Sequence, residues 1–205
     1  MTGAPIGLRE RKKRETREAL ARAGLELFVE RGYDATTLAD IAEVAGVSTR
    51  TIFAYFPSKE DILFASFETM REALATALAE RPDGQDALAA LREFILSSAH
   101  QKTELDCMLE EVIAGDETLS RHKRARIAQL QGVLAEAIAR DLGGGPDDLR
   151  ANVAAASLTA AFEVLAQQEG TLSSSTTNNE IAAAIDPVLA FVRAGLAALP
   201  APESR

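Results

Sequence analysis

The chain has 205 residues, 47% of them apolar and 26% charged, with a formal net charge of -9. That is enough to bury one substantial core or two modest ones, and it is not the composition of a disordered chain. A single cysteine, Cys107, excludes an intramolecular disulfide framework, and the absence of Trp with only 5% aromatics favours helices over a β-sandwich. No apolar run is read as long enough to span a membrane, and Met1 to Ala23 lacks a signal-peptide pattern, so a cytoplasmic protein without membrane contact is expected.

From Met1 to Gly7 the chain reads as a frayed tail. RERKKRETREALARAGLELFVERG then predicts a helix with Ala19, Leu20, Ala23, Leu27 and Phe28 on one side and Gly32 at its end. Residues 1–60 hold ten Lys/Arg against nine Asp/Glu, whereas 61–205 hold twelve against twenty-two. Within Arg9–Arg22 seven basic residues face three acidic ones, so the positive charge is local while the body is acidic. A patch of that kind is what attraction to phosphate requires, whatever the global sign.

Next comes TTLADIAEVAGVSTRTIFAYFPSKED, residues 36–61. Thr37 with Asp40 three residues on predicts a capping box, and Leu38, Ile41, Ala42 and Ala45 fall on one face of a short helix. Gly46 can take the left-handed conformation that ends it, Val47 can pack back, and Ser48 can cap a second helix over about Thr49–Phe56, stopped by Pro57. Ile52 and Phe56 point inward, leaving Thr49, Arg50, Thr51 and Tyr55 mainly outward. The unit reads as a helix-turn-helix.

Ser58 and Asp61 offer another capping box, opening a long helix to about Glu80 with Ile62, Leu63, Phe67, Met70, Leu74 and Leu78 apolar. This helix is expected to connect two domains. Helical periodicity recurs at about 86–101, 104–114, 118–142, 147–169 and 180–199. The separators are Gly115-Asp116, Gly143–Gly145 with Pro146, and a polar stretch from Ser173 to Asn179 read as a mobile loop. Asp186-Pro187 either kinks the last helix or restarts it.

The outward face of the second helix suits groove contact: Thr49, Arg50 and Thr51 near its start, with Ser48 at the cap, and Arg50 as the residue for guanine O6 and N7. Tyr55, Thr37 and Lys59 would hold phosphates, with Lys12, Lys13, Arg14 and Arg17 on the backbone or in the minor groove. Two histidines and one cysteine without close spacing make no zinc site, the glycine run lacks a P-loop lysine, and no nucleophile–base motif appears. No metal, cofactor or catalysis is expected. Arg121, His122, Lys123, Arg124 and Arg126 form a second basic cluster, read either as a solvated face or as an anion-attracting rim of a cavity.

The residues LELFVERGYDATTLADIAEVAGVSTRTIFAYFPSKEDILF, within Arg11–Phe64, resemble the DNA-binding region of the TetR family of bacterial transcriptional regulators. The resemblance implies an all-α fold of nine helices. An N-terminal three-helix helix-turn-helix domain is placed at 8–57 and a C-terminal helical ligand-binding and dimerisation domain at 58–200. It also implies a homodimer bundled through helices at about Asp147–Glu169 and Glu180–Leu199; Val153, Ala156, Ala160, Val164, Ile185, Leu189, Val192 and Leu196 offer faces for this, and core packing within the subunit explains the same stripe equally well. The family often has Tyr where Phe53 stands here, so Tyr55 is left to supply a phosphate contact alone.

The implied function is a repressor that binds a palindromic operator and is released by a small-molecule effector, aliphatic or anionic amphipathic. Residues 62–80 would be the lever. Position alone nominates Phe67, Met70, Leu91, Ile95, His100, Cys107, Met108, Arg126, Leu130, Asn152, Thr159 and Phe162 for the effector pocket. An activator of the same family, a helical scaffold without specific DNA binding and an all-α enzyme are the competing readings.

Overall fold

The structure, a computed structural model, describes residues 8–98, 104–167 and 176–199, apart from the side chains at 10, 104–107, 166 and 167. Among the described residues it is helical throughout: α1 (Leu8–Arg31), α2 (Leu38–Val44), α3 (Thr49–Tyr55), α4 (Lys59–Leu63), α5 (Ala65–Ala79), α6 (Ala87–Ser98), α7 (Glu104–Ala114), α8 (Glu117–Asp141), α9 (Leu149–Gln167) and α10 (Asn178–Ala198). The chain divides into two compact units. One comprises the chain up to Glu68 together with Leu105–Ser120; the other comprises Thr69–Glu104 and everything from Arg121.

In the first unit Leu20, Leu27 and Phe28 of α1 form a core with Ile41, Ala42, Ile52, Phe56 and Ile62–Ala65. Ala19, expected on the buried side of α1, is exposed; Ala21, Gly24 and Leu25 are buried instead. Gly24 marks a close approach, since a Cβ there would lie 2.5 Å from Ile62 Cγ2 and 3.2 Å from Ile41 Cδ1. The α7–α8 corner completes this core with Leu109, Ile113 and Leu119.

The helix expected from Ser58 to Glu80 is two helices, so the described residues form ten where nine were implied. Ile62, Leu63, Phe64 and Ala65 are all buried, and four consecutive residues cannot share one face of a straight helix. The backbone leaves the helical well at Phe64, with φ -102 and ψ 16, and all four are thereby buried.

The second unit is built from α6, α8, α9, α10 and the later turns of α5. Its core includes Leu74, Leu78, Leu88, Leu91, Leu134, Ile138, Ala151, Ala155, Leu158 and Ile181. The expected glycine loop ends α8 with Gly143 at φ 66 and Gly144 N–H donating to the Ala139 carbonyl at 2.9 Å. Asp148 then opens α9, accepting from the Arg150 N–H at 2.9 Å and from its guanidinium at 2.7 and 3.1 Å. The side chains of both are nearly buried, and the Arg150 hydrogen bonds hold the Asp148 carboxyl below the usual carboxylate range.

Helix α10 begins two residues before its expected start. Thr177 and Glu180 make a capping box that draws Asn178 and Asn179 into the first turn; residues 173–175 of the expected loop lie outside the described residues. The helix does not restart at Pro187. It continues through it, and Asp186 accepts two hydrogen bonds from Arg92, at 2.6 and 3.0 Å, instead of capping.

Of the two readings of the α10 stripe, core packing is the one observed: Ile185, Leu189 and Val192 are buried in their own unit's core with Leu196 packed against it. What α10 leaves exposed is Pro187, Ala190, Phe191 and Ala194; α9 leaves Val153, Ala160 and Val164. By length and composition alone α10 also meets the criterion for a membrane span, against the reading that no segment does. It carries the Asp186–Arg92 and Arg193–Asp86 ion pairs and lends one face to the core.

Candidate nucleic-acid interface

The turn between α2 and α3 is fixed by local chemistry. Thr37 and Asp40 form the predicted capping box, with Thr37 N–H donating to Asp40 Oδ2 at 2.8 Å and Asp40 N–H donating to Thr37 Oγ1 at 3.2 Å. Gly46 stands at φ 67, and Val47 N–H returns to the Ala42 carbonyl at 2.9 Å, the paired bonding of a left-handed helix end. Ser48 then caps α3, its hydroxyl accepting from Thr51 N–H at 3.1 Å and meeting the Thr51 hydroxyl at 2.8 Å. Ala42 is 2% exposed, which lets the two helices cross closely.

The outward face of α3 differs from the expected one. Thr49, Arg50, Phe53 and Ala54 are exposed, whereas Thr51 and Tyr55 are half buried. At about 100° per residue, Thr51 and Tyr55 flank the inward arc of Ile52 and Phe56, so the Tyr55 ring packs against the core. Phe53, at 53% exposed, is the residue that sequence reasoning missed. The i to i+3 spacing from Arg50 was the signal available for it.

Around this face stand the predicted holding residues. Lys12, Lys13 and Arg14 are exposed on α1, and Arg14 pairs with Glu18 at 3.6 Å. Arg17 is half buried, its guanidinium 4.7 Å from the centre of the Phe56 ring. Lys59 is also committed to the fold: its ammonium donates to the Tyr33 carbonyl at 2.8 Å and lies 4.1 Å from the Tyr33 ring centre, leaving two N–H groups for another acceptor. Burial, and then the neighbouring Glu60 carboxylate, push the Tyr33 hydroxyl's pKa up, so that ring stays neutral beneath the ammonium. The Thr37 hydroxyl and N–H are both engaged by Asp40, and the Asp40 N–H by the Thr37 hydroxyl, so the polar groups of this cap are used within the fold.

The predicted pocket residues are distributed over both units. Phe67 packs against the first core, and Met108, at 42% exposed, belongs to the same unit. In the second unit Leu91 is core, Ile95, Leu130 and Phe162 are half buried against it, and Met70 is 39% exposed. Asn152 donates its amide to the Pro146 and Asp148 carbonyls at 3.1 and 3.0 Å, and Thr159 donates to backbone carbonyls one turn earlier. Arg126 is half buried one turn before Leu130 on α8. His100 and the Cys107 side chain lie outside the described residues. Among the described residues, no group of three or more His, Cys, Asp or Glu is placed to hold a metal ion.

Residues 20–66 match the family model described as bacterial regulatory proteins, tetR family. The HTH-type transcriptional regulator TcmR of Streptomyces glaucescens is 45% identical over 85 residues, 42% of this chain and 38% of that one. The HTH-type transcriptional regulator RutR of Escherichia coli strain K12 is 32% identical over 115 residues, 53% of each. The match thus spans about half or less of the length of these curated relatives. Among solved structures, a complex of SmeT, the repressor of a Stenotrophomonas maltophilia multidrug efflux pump, with triclosan has a TM-score of 0.60 at 21% identity, covering 93% of this chain and 100% of that one. Thermus thermophilus FadR, a transcriptional repressor solved with lauroyl-CoA, has a TM-score of 0.53 at 25% identity, covering 92% and 99%.

Proposed function

Since the chain belongs to the TetR family of bacterial transcriptional regulators, we propose that it is a cytoplasmic, homodimeric repressor whose two α3 helices read the halves of a palindromic operator and which a small-molecule effector releases. The observation that carries this is the α2–turn–α3 unit. Its caps and left-handed Gly46 fix the crossing, and its exposed face puts Thr49 and Arg50 at the N-terminal end of α3, the end that reaches base edges in this motif. Arg50 reads guanine. Lys12, Lys13, Arg14, Arg17 and Lys59, with Ser48, Thr51, Tyr55 and the first turn of α2, hold the backbone.

The dimer forms through the exposed faces of α9 and α10, where Val153, Ala160 and Val164 lie on one helix and Ala190, Phe191 and Ala194 on the other. Two copies related by a twofold axis would bury Phe191 against its equivalent surroundings and set the spacing of the two α3 helices to about 34–36 Å for successive major grooves. The effector site lies in the second unit, among half-buried Ile95, Leu130 and Phe162, with Arg126 one turn from Leu130 to receive an anionic head. A ligand with an apolar chain and an anionic end is the reading for that set, and the lauroyl-CoA bound by FadR is a ligand of that kind.

Footprinting of the purified protein on DNA, followed by salt-dependent binding of variants, tests the reading. Lys13→Ala is expected to weaken binding to every sequence and lower the salt slope by about 0.9, whereas Arg50→Ala relaxes choice at one base pair by about 1–3 kcal/mol. Equal, sequence-independent losses from both would remove Arg50 as a reader. Absence of any protected sequence would remove the function.

A further inference from the structure

We propose that Phe53 is a specificity-determining residue: its exposed ring takes the 5-methyl group of a thymine in the major groove, one or two base pairs from the guanine that Arg50 reads. This rests on the DNA-binding reading above and adds a second base contact to it. Folding gives no reason for a phenylalanine here. The inward residues of α3 and its cap, Ile52 and Phe56, are 0% exposed, while Phe53 is 53% exposed and lies outside the core cluster that Tyr55 joins.

Counted from Thr49 at about 100° per residue, Phe53 falls near 40° and Arg50 near 100°, so the two straddle the middle of the outward arc bounded by Thr49 and Ala54. A ring in that position meets whatever the helix is pressed against, and it has no hydrogen-bonding group to offer a phosphate. The thymine methyl is the apolar feature of the major-groove floor, and phenylalanine is among the side chains that contact it. Three residues of helix advance about 4.5 Å, against about 3.4 Å per base step, which sets the one or two base pair separation from the guanine. Ala54 beside it is exposed and small, so nothing on that flank holds the ring away from the groove.

Duplexes selected by the full-length protein from a random pool supply the probe. In each, thymines are replaced one at a time by deoxyuridine, which removes only the 5-methyl group, and equilibrium binding is followed by fluorescence anisotropy for wild type and Phe53→Ala. At one thymine per half-site the wild type is expected to lose about fourfold in affinity, the value of one buried methyl-sized group. Phe53→Ala, which loses the contact in both half-sites, should lose about sixteenfold on the thymine duplex and be indifferent to deoxyuridine at that position alone. Its binding to an unrelated duplex and its salt slope should match wild type, which separates a lost base contact from a damaged domain. If Phe53→Ala stays as sensitive as wild type to every substitution, or no thymine methyl matters, the assignment is overturned while DNA binding stands. If no sequence is enriched from the pool, the DNA-binding reading falls and this one with it.

Discussion

Phe191 offers the sharpest test of the proposed dimer, because it separates the outer face of α10 from the inner one. It is 72% exposed in the single chain, whereas Leu189, two residues away, is 5% exposed in the core. A phenylalanine presents roughly 150–250 Å² of surface, so the exposed part is about 150 Å². Full burial of such a side chain is worth about 1.5–3 kcal/mol, so the part still exposed is worth about 1–2 kcal/mol, and a twofold interface counts it twice, giving about 2–4 kcal/mol per dimer. Phe191→Ala is therefore expected to raise the dimer dissociation constant by about one and a half to three orders of magnitude, at about 1.4 kcal/mol per factor of ten.

Sedimentation velocity across a dilution series measures that constant, with the melting temperature of the dilute, dissociated protein as the control for folding. Operator affinity should fall with dimerisation, since two half-sites are then read by separate molecules. Leu189→Ala should behave in the opposite way, leaving a cavity in the monomer core and lowering its stability by about 2–5 kcal/mol. If Phe191→Ala dimerises within a factor of three of wild type, this face is not the interface, and the twofold argument is wrong.

Three other substitutions follow from local geometry. Gly24→Ala adds a methyl group 2.5 Å from Ile62 Cγ2, and the overpacking of about 1–3 kcal/mol should exceed the helix-propensity gain of about 1 kcal/mol; chemical denaturation would show net loss of stability in the first unit. Thr37→Ala removes the capping-box hydroxyl and should cost about 1 kcal/mol in the same assay while leaving the salt slope of DNA binding unchanged. The Asp148 carboxyl is held below its ordinary value by the Arg150 hydrogen bonds, so its contribution is fully present above the unfolded value of about 3.9 and is lost as pH falls through the lower folded value. Asp148→Asn should destabilise the protein at neutral pH and flatten the acid limb of the stability profile; an unchanged acid limb would refute the assignment.

What the sequence disclosed was chemistry acting over three or four residues. Thr37 with Asp40, Ser58 with Asp61 and Gly46 before Val47 each satisfy a helix end within their own segment, so their meaning does not depend on the rest of the fold. What it concealed was the choice among faces. On α10 both Ile185–Leu189–Val192 and Ala190–Phe191–Ala194 are apolar stripes, and only packing shows that the first fills the monomer core. The break at Phe64 was hidden because 62–65 is apolar in every position and therefore shows no period. Phe53 was noticed only for the hydroxyl it lacks beside the family's Tyr, and its exposure emerged from the inward packing of Ile52 and Phe56.

The two cores also constrain how an effector message would travel. Helix α8 contributes Leu119 to the first core and Leu134, Ala137 and Ile138 to the second; α5 contributes Phe67 to the first and Leu74 and Leu78 to the second. Two helices are thus members of both, and the first core contains α1, α2 and the inward side of α3. Close-packed interiors do not deform continuously, so a ligand entering the second core would have to repack it in discrete steps. The break at Phe64 divides the segment once expected to be one lever, whereas α8 is uninterrupted from Glu117 to Asp141. The 62–80 segment read as one lever is therefore not one helix. To take the protein from 99:1 in favour of the operator-competent form to 1:99, the effector must prefer the other form by about 5.5 kcal/mol.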